Sequence, residues 1–138
     1  MTHLEALDQS IKAFNEGNWD EYKSSFTEDC HYTEYATGRS LNSSDELLSN
    51  SKSWKNAFPD AHGEVINRID NGDYVVEEVV WSGTHTGELH TPDGQTIPPT
   101  SKNMKVNAVM INKFKDDKIC ETNHYFDMLT MLKQLGLS

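Results

Sequence analysis

The sequence predicts an α+β domain in which a twisted antiparallel sheet packs on N-terminal helices. Two patterns predict it: helical apolar spacing marks three segments within the first sixty residues, and long alternating strands joined by tight turns fill most of the rest. A third observation, the length of 138 residues, fits one domain spanning 1–138.

Leu4, Leu7, Ile11 and Phe14 recur three and four apart, which places one apolar stripe on a first helix that Gly17 can end. Asn18 can cap a second short helix from Trp19 to about Phe26. Cys30 to Ala36 alternates and is rich in Tyr and Thr, as a short strand would be, and Thr37-Gly38-Arg39 reads as the turn after it. Ser43 or Ser44 followed by acids marks a third helix carrying Leu47, Leu48 and Trp54 toward Phe58, with Pro59 as its stop. Strands are expected over about His62–Asp70, Tyr74–Leu89, Asn103–Lys115 and Lys118–Phe126. Asn71-Gly72-Asp73 and Asp116-Asp117 join neighbours as antiparallel hairpins. Pro92, Gly94, Pro98 and Pro99 make Thr91–Lys102 a loop, and Leu129, Leu132 and Leu135 mark a closing helix. If the sheet curls around the N-terminal helices, a cavity opens between the layers, and a ligand belongs there.

Leu, Ile, Val and Phe supply only 28 of 138 residues, so the case for a folded chain rests on their periodicity rather than their number. The net charge of −10 repels phosphate backbones and anionic lipid headgroups, which argues against nucleic acid and membrane surfaces as partners. Cys30 and Cys120 are too few for a disulfide framework or zinc cluster, and no apolar run reaches membrane-span length. The reading is cytoplasmic, with both thiols reduced.

With strict alternation, Ile119, Glu121, Asn123, Tyr125 and Asp127 share one face of the last strand, opposite Cys120, Thr122, His124 and Phe126. Two carboxylates, an amide and a phenol suit the polar patch of a pocket. Asp127 has two readings: a general acid/base whose carboxyl loses hydration in an apolar pocket, or the N-cap of the following helix. His85 lies among small neighbours in Gly83-Thr84-His85-Thr86-Gly87, where it can orient a carbonyl or sit as a satisfied strand histidine, the reading that also suits His31, His62, His90 and His124. Trp54, Trp81, Tyr35 and Asn107 complete the expected substrate-binding set with Asn123, Tyr125 and Glu121. His85, Glu88 and His90 are close in sequence, but a strand turns the two imidazoles to opposite sides, so no metal site is expected. No cofactor fingerprint is present in the sequence.

Six stretches, taken in order, resemble the SnoaL-like polyketide cyclase family of the nuclear-transport-factor-like and ketosteroid-isomerase-like superfamily. They are Ala57-Phe58-Pro59-Asp60, Asn71-Gly72-Asp73-Tyr74-Val75, Gly83-Thr84-His85-Thr86-Gly87, Ile97-Pro98-Pro99-Thr100, Lys118-Ile119-Cys120-Glu121 with Asp127, and Lys133-Gln134-Leu135-Gly136. Asn123 and Ser101 depart from the pattern, standing where Trp and Gly are usual. The resemblance implies a cone-shaped open barrel with a central apolar pocket, a homodimer or higher homo-oligomer, and a small apolar carbonyl ligand. It also implies cofactor-free lyase or isomerase chemistry, such as proton transfer or intramolecular aldol cyclisation, with Asp127 as acid/base and His85 and Asn123 orienting the oxygen. Two other functions fit the same scaffold: a non-catalytic small-molecule binding module, and an epoxide hydrolase or dehydratase whose water is held by Asp127 with Glu121 or Asn123.

Overall fold

The computed structural model describes residues 2–138. Helix α1 (His3–Glu16) starts from a reciprocal cap in which Thr2 and Glu5 each satisfy the other's backbone N–H, and it ends at Gly17, whose φ of 71° closes the helix in the left-handed region. Asn18 caps α2 (Trp19–Ser24) and Ser43 caps α3 (Ser44–Ala57), so the helix starts stand where short side-chain acceptors precede acids.

The main sheet has six strands: β1 (Phe26–Glu34), β2 (Arg39–Leu41), β3 (His62–Asp70), β4 (Tyr74–Thr84), β7 (Asn103–Lys115) and β8 (Lys118–Phe126), in the order β2-β1-β8-β7-β4-β3. All neighbours pair antiparallel except β1 and β8, which run parallel. Helix α4 (Met128–Gln134) follows β8. The sheet curves over the helices without closing. One end is pinned by Arg68 on β3, whose guanidinium donates to the buried Glu77 carboxylate of β4 at 2.6 and 3.0 Å and to Asp8 of α1 at 2.7 Å. That pairing offsets part of the cost of taking the Glu77 charge out of water, which still raises its pKa.

Four expectations are corrected. The first strand begins at Phe26 instead of Cys30, because α2 stops at Ser24, and Arg39, expected as the last residue of the turn, opens a strand, Arg39–Leu41, that pairs with Tyr32–Glu34. The strand expected to reach Leu89 ends at Thr84, where the Asp60 carboxylate takes the Thr84 N–H at 2.7 Å and its hydroxyl at 2.8 Å. Inside and just before the proline-rich loop, β5 (Leu89–His90) and β6 (Thr96–Ile97) form a two-stranded hairpin.

The chain after β4 passes so close to the end of α3 that Gly87 donates its N–H to the Ala57 carbonyl, and a Cβ on residue 87 would lie 1.9 Å from the Asn56 carbonyl oxygen. Backbone cannot yield as a flexible side chain does. Gly87→Ala is therefore expected to lower unfolding free energy by about 1–3 kcal/mol, read from denaturant midpoints at unchanged m-value.

Candidate functional site

A cavity of about 90 Å³ lies between the concave face of the sheet and the helices. Its apolar wall is built by Phe14 of α1, Trp54 of α3, Phe58 at the C-cap of α3, Trp81 of β4 and Phe126 of β8. Met104, Met110 and Met131 close the far side. This volume is below the roughly 150 Å³ that houses a benzene ring, so a five-membered cyclic ketone, with as many non-hydrogen atoms as benzene, enters only if side chains of the wall move. Unbranched thioether side chains are the adaptable part of such a wall.

Glu34 is the cavity's carboxylate. It sits on the inner face of β1, two residues from Tyr32 and therefore on the same side of the strand, about 6–7 Å along it. At 2 % exposure it is buried. Oε1 accepts from the Thr37 hydroxyl (2.6 Å) and Arg39 Nη1 (3.1 Å), while Oε2 accepts from Asn50 Nδ2 (2.9 Å) and Trp54 Nε1 (3.0 Å). Arg39 also donates to the His90 carbonyl and lies over the Trp54 ring at 5.9 Å, which fixes the guanidinium by packing as well as by charge. Each carboxylate oxygen thus accepts two hydrogen bonds, and a proton can reach the group only when a donor withdraws.

Beside it on the adjacent strand β8 is His124, buried and bonded at both ring nitrogens: Nδ1 lies 2.7 Å from the Tyr32 hydroxyl and Nε2 accepts from Trp81 Nε1 at 3.2 Å. Burial lowers its pKa to about 4, with the Glu34 charge opposing the shift, so the imidazole is neutral near pH 7. Burial drives the Tyr32 phenol well above its ordinary value. Trp81 reaches His124 because residue 63 has no side chain: a Cβ there would stand 2.5 Å from the indole. Asn15 clamps that glycine through both its N–H and its carbonyl.

Of the residues singled out from the sequence, Trp54 and Trp81 line the cavity. Glu121, Asn123 and Tyr125 lie on the opposite face of β8, which is a correction with a local cause. Between Ile119 and Glu121 the register against β7 shifts by one residue, so the alternation flips and Thr122, His124 and Phe126 turn inward. Tyr125 is 42 % exposed and stacks on Tyr35, itself 52 % exposed, with centroids 4.5 Å apart. Asn107 is exposed on β7. His85 is fully buried outside the cavity: Nδ1 accepts from the Thr100 N–H, and the ring packs on Phe58.

Asp127 is exposed and caps α4, accepting from the Thr130 hydroxyl and N–H at 2.7 and 3.0 Å, bonds that lower its pKa. The cap reading is the one its surroundings fit, and its carboxyl is not part of the cavity wall. Sequence reasoning passed over Glu34 and Tyr32 and read His124 as bland. The available signal was an acid two residues from a tyrosine inside an otherwise core-facing strand register, Cys30, Tyr32 and Glu34.

A family model described as SnoaL-like polyketide cyclase matches residues 4–135. No curated protein matches the sequence. Among solved structures, the chain is similar to a presumed SnoaL-like polyketide cyclase from Jannaschia at 16% identity and a TM-score of 0.86, covering 99% of this chain and 92% of that one. It is similar to wild-type IdmH, a presumed polyketide cyclase from Streptomyces antibioticus, at 22% identity and 0.82, covering 99% of each. A Catenulispora acidiphila protein with a ketosteroid isomerase-like fold, solved with trimethylamine, is 18% identical with a TM-score of 0.81, covering 100% of this chain and 96% of that one.

Two outcomes are expected. The neutral His124 of the folded state has its pKa depressed below the ordinary 6.5, so the unfolded chain binds more protons between pH 6.5 and about 4. Stability due to this group is intact above pH 6.5 and falls by roughly 3 kcal/mol as pH drops to 4. The pH slope of unfolding free energy over that window should flatten in His124→Gln. Asp127→Ala should lower the melting temperature at pH 7, and the difference from wild type should shrink as pH falls through and below the ordinary carboxyl value of 3.8, because the cap's contribution is lost on protonation.

Proposed function

The chain belongs to the SnoaL-like polyketide cyclase family, and from that premise we propose that its cavity takes a small, mostly apolar carbonyl compound and moves a proton at carbon without a cofactor. The observation that carries this reading is the single carboxylate, Glu34, held inside an apolar cavity beside a phenol. When one of its four donors withdraws, Glu34 takes the proton from the carbon next to the carbonyl, negative charge passes to the carbonyl oxygen, and the proton returns at carbon. In an isomerisation it returns at the far end of the conjugated system; in a cyclisation the carbanion attacks a second carbonyl carbon, the C=O π bond opens to an alkoxide, and that oxygen takes the proton from Glu34. A carboxylate base with hydrogen-bond donors at the oxygen is sufficient chemistry for this, as ketosteroid isomerase illustrates. The base here is Glu34 rather than Asp127, since a base must reach the substrate and the Asp127 carboxyl faces solvent.

The four donors on Glu34 favour a second reading, a binding module without turnover, because they leave the carboxylate no free lone pair at rest. The exposed Tyr35–Tyr125 stack, with the half-buried Val109 and Ile111 nearby on β7, is the surface proposed for a homodimer. No helix among the described residues is long and apolar enough to cross a membrane.

Conversion of 3-cyclopentenone to 2-cyclopentenone, followed by ultraviolet absorption, tests the reaction with a small cyclic ketone. The expected result is catalysis that falls by about 10²–10⁴-fold in Glu34→Gln and is retained in Asp127→Asn. A ketone that binds and is recovered unchanged, with no catalysis in the wild type, supports the binding module. For assembly, Tyr125→Glu is expected to shift a dimer to monomer in analytical ultracentrifugation.

A further inference from the structure

We propose that Tyr32 is the donor that recognises the ligand's oxygen, held in that role by a His124 tautomer that Trp81 imposes, so that the site selects ketones, enones and enolates over hydrocarbons of equal shape. This deepens the reading of the cavity as a ligand site and rests on it.

Protons can be counted along one row of side chains, Trp81, His124 and Tyr32. An indole N–H donates and never accepts, so at 3.2 Å from Trp81 Nε1 the His124 Nε2 must be the acceptor. A neutral imidazole carries one proton, which therefore sits on Nδ1. At 2.7 Å, Nδ1–H donates to the Tyr32 hydroxyl oxygen. The phenol's own proton cannot then point at the histidine, and among the described residues no other hydrogen-bond partner is found for that hydroxyl. Tyr32 lines the cavity, so its proton is left for whatever fills it.

The nearby Tyr22–Ser51 pair differs, because either hydroxyl can donate at 2.7 Å and the pair adapts to a donor or an acceptor. Tyr32 has no such freedom: turning its proton toward Nδ1 would put two donors face to face. A donor fixed in direction inside an apolar cavity is what a developing oxyanion needs, and its alignment is set before the ligand arrives. Tyr32 keeps its proton throughout. Burial raises its pKa well above 10, so the hydroxyl stays a donor at every working pH, and the His124 N–H behind it further polarises the O–H. His124 and Trp81 are positioning residues, since neither needs to touch the ligand oxygen to set the direction of the Tyr32 hydroxyl.

Two measurements test this. Two-bond ¹H–¹⁵N spectra of histidine-labelled wild type at pH 7 should show His124 as the Nδ1–H tautomer, and Trp81→Phe should relax it to a mixture. Cyclopentanone and its hydrocarbon isostere methylenecyclopentane are then titrated, following amide shifts. Wild type should favour the ketone by about tenfold; Tyr32→Phe should bind both equally with the hydrocarbon's affinity kept. An Nε2–H tautomer in wild type overturns the inference without any variant having to fold. Equal binding by wild type, or a ketone preference that survives Tyr32→Phe, overturns it while leaving the cavity reading intact. Failure of the hydrocarbon and the ketone alike to bind overturns the cavity reading and this inference with it.

Discussion

A carboxylate inside an apolar hollow is the constraint on which the site depends. Moving that charge out of water costs several kcal/mol or more, and the Glu34 position is tenable only because four donors from three elements converge on it. Thr37 and Arg39 come from the turn and strand after β1, Asn50 and Trp54 from successive turns of α3. Each donor is thereby fixed in place as well. The short strand β2 is held against β1, α3 is oriented with its indole toward the sheet, and Arg39 ties the hairpin at His90 into the same cluster. Architecture and chemistry share these side chains, so the ring of donors that makes the charge tolerable also limits how freely it can act as a base.

The second determinant is a one-residue bulge at Cys120. It sets which side of β8 faces the hollow, and a strand of strict alternation would have placed Glu121, Asn123 and Tyr125 there instead. With the bulge, His124 meets Tyr32 and Trp81, and the polar face of β8 is left outside. A small local irregularity thus decides whether the strand brings an imidazole or a second carboxylate to the ligand.

Much of the scaffold was legible. Gly17, Asn18, Ser43 and Pro59 marked helix ends through local chemistry that acts within a few residues, and the hairpin turns at Asn71-Gly72-Asp73 and Asp116-Asp117 did likewise. The parallel pairing of β1 with β8 was not legible, because it joins residues some ninety positions apart and leaves no short-range signature. The site was less accessible still. Trp54 and Trp81 were found because large aromatics seek a wall, whereas Glu34 takes its meaning from donors that only the tertiary fold assembles. Asp127 illustrates the opposite limit: its place before a helix was readable as a cap, and its local bonds to Thr130 are those of one.

Function in this fold depends on which side of the sheet the ligand occupies. Intermolecular nuclear Overhauser effects from 2-cyclopentenone bound to methyl- and aromatic-labelled protein report this directly. Contacts to the Met110 methyl and the Trp54 and Phe126 rings are predicted. Contacts confined to Tyr35, Tyr125 and Val109 would place the ligand on the outer face and contradict the cavity site.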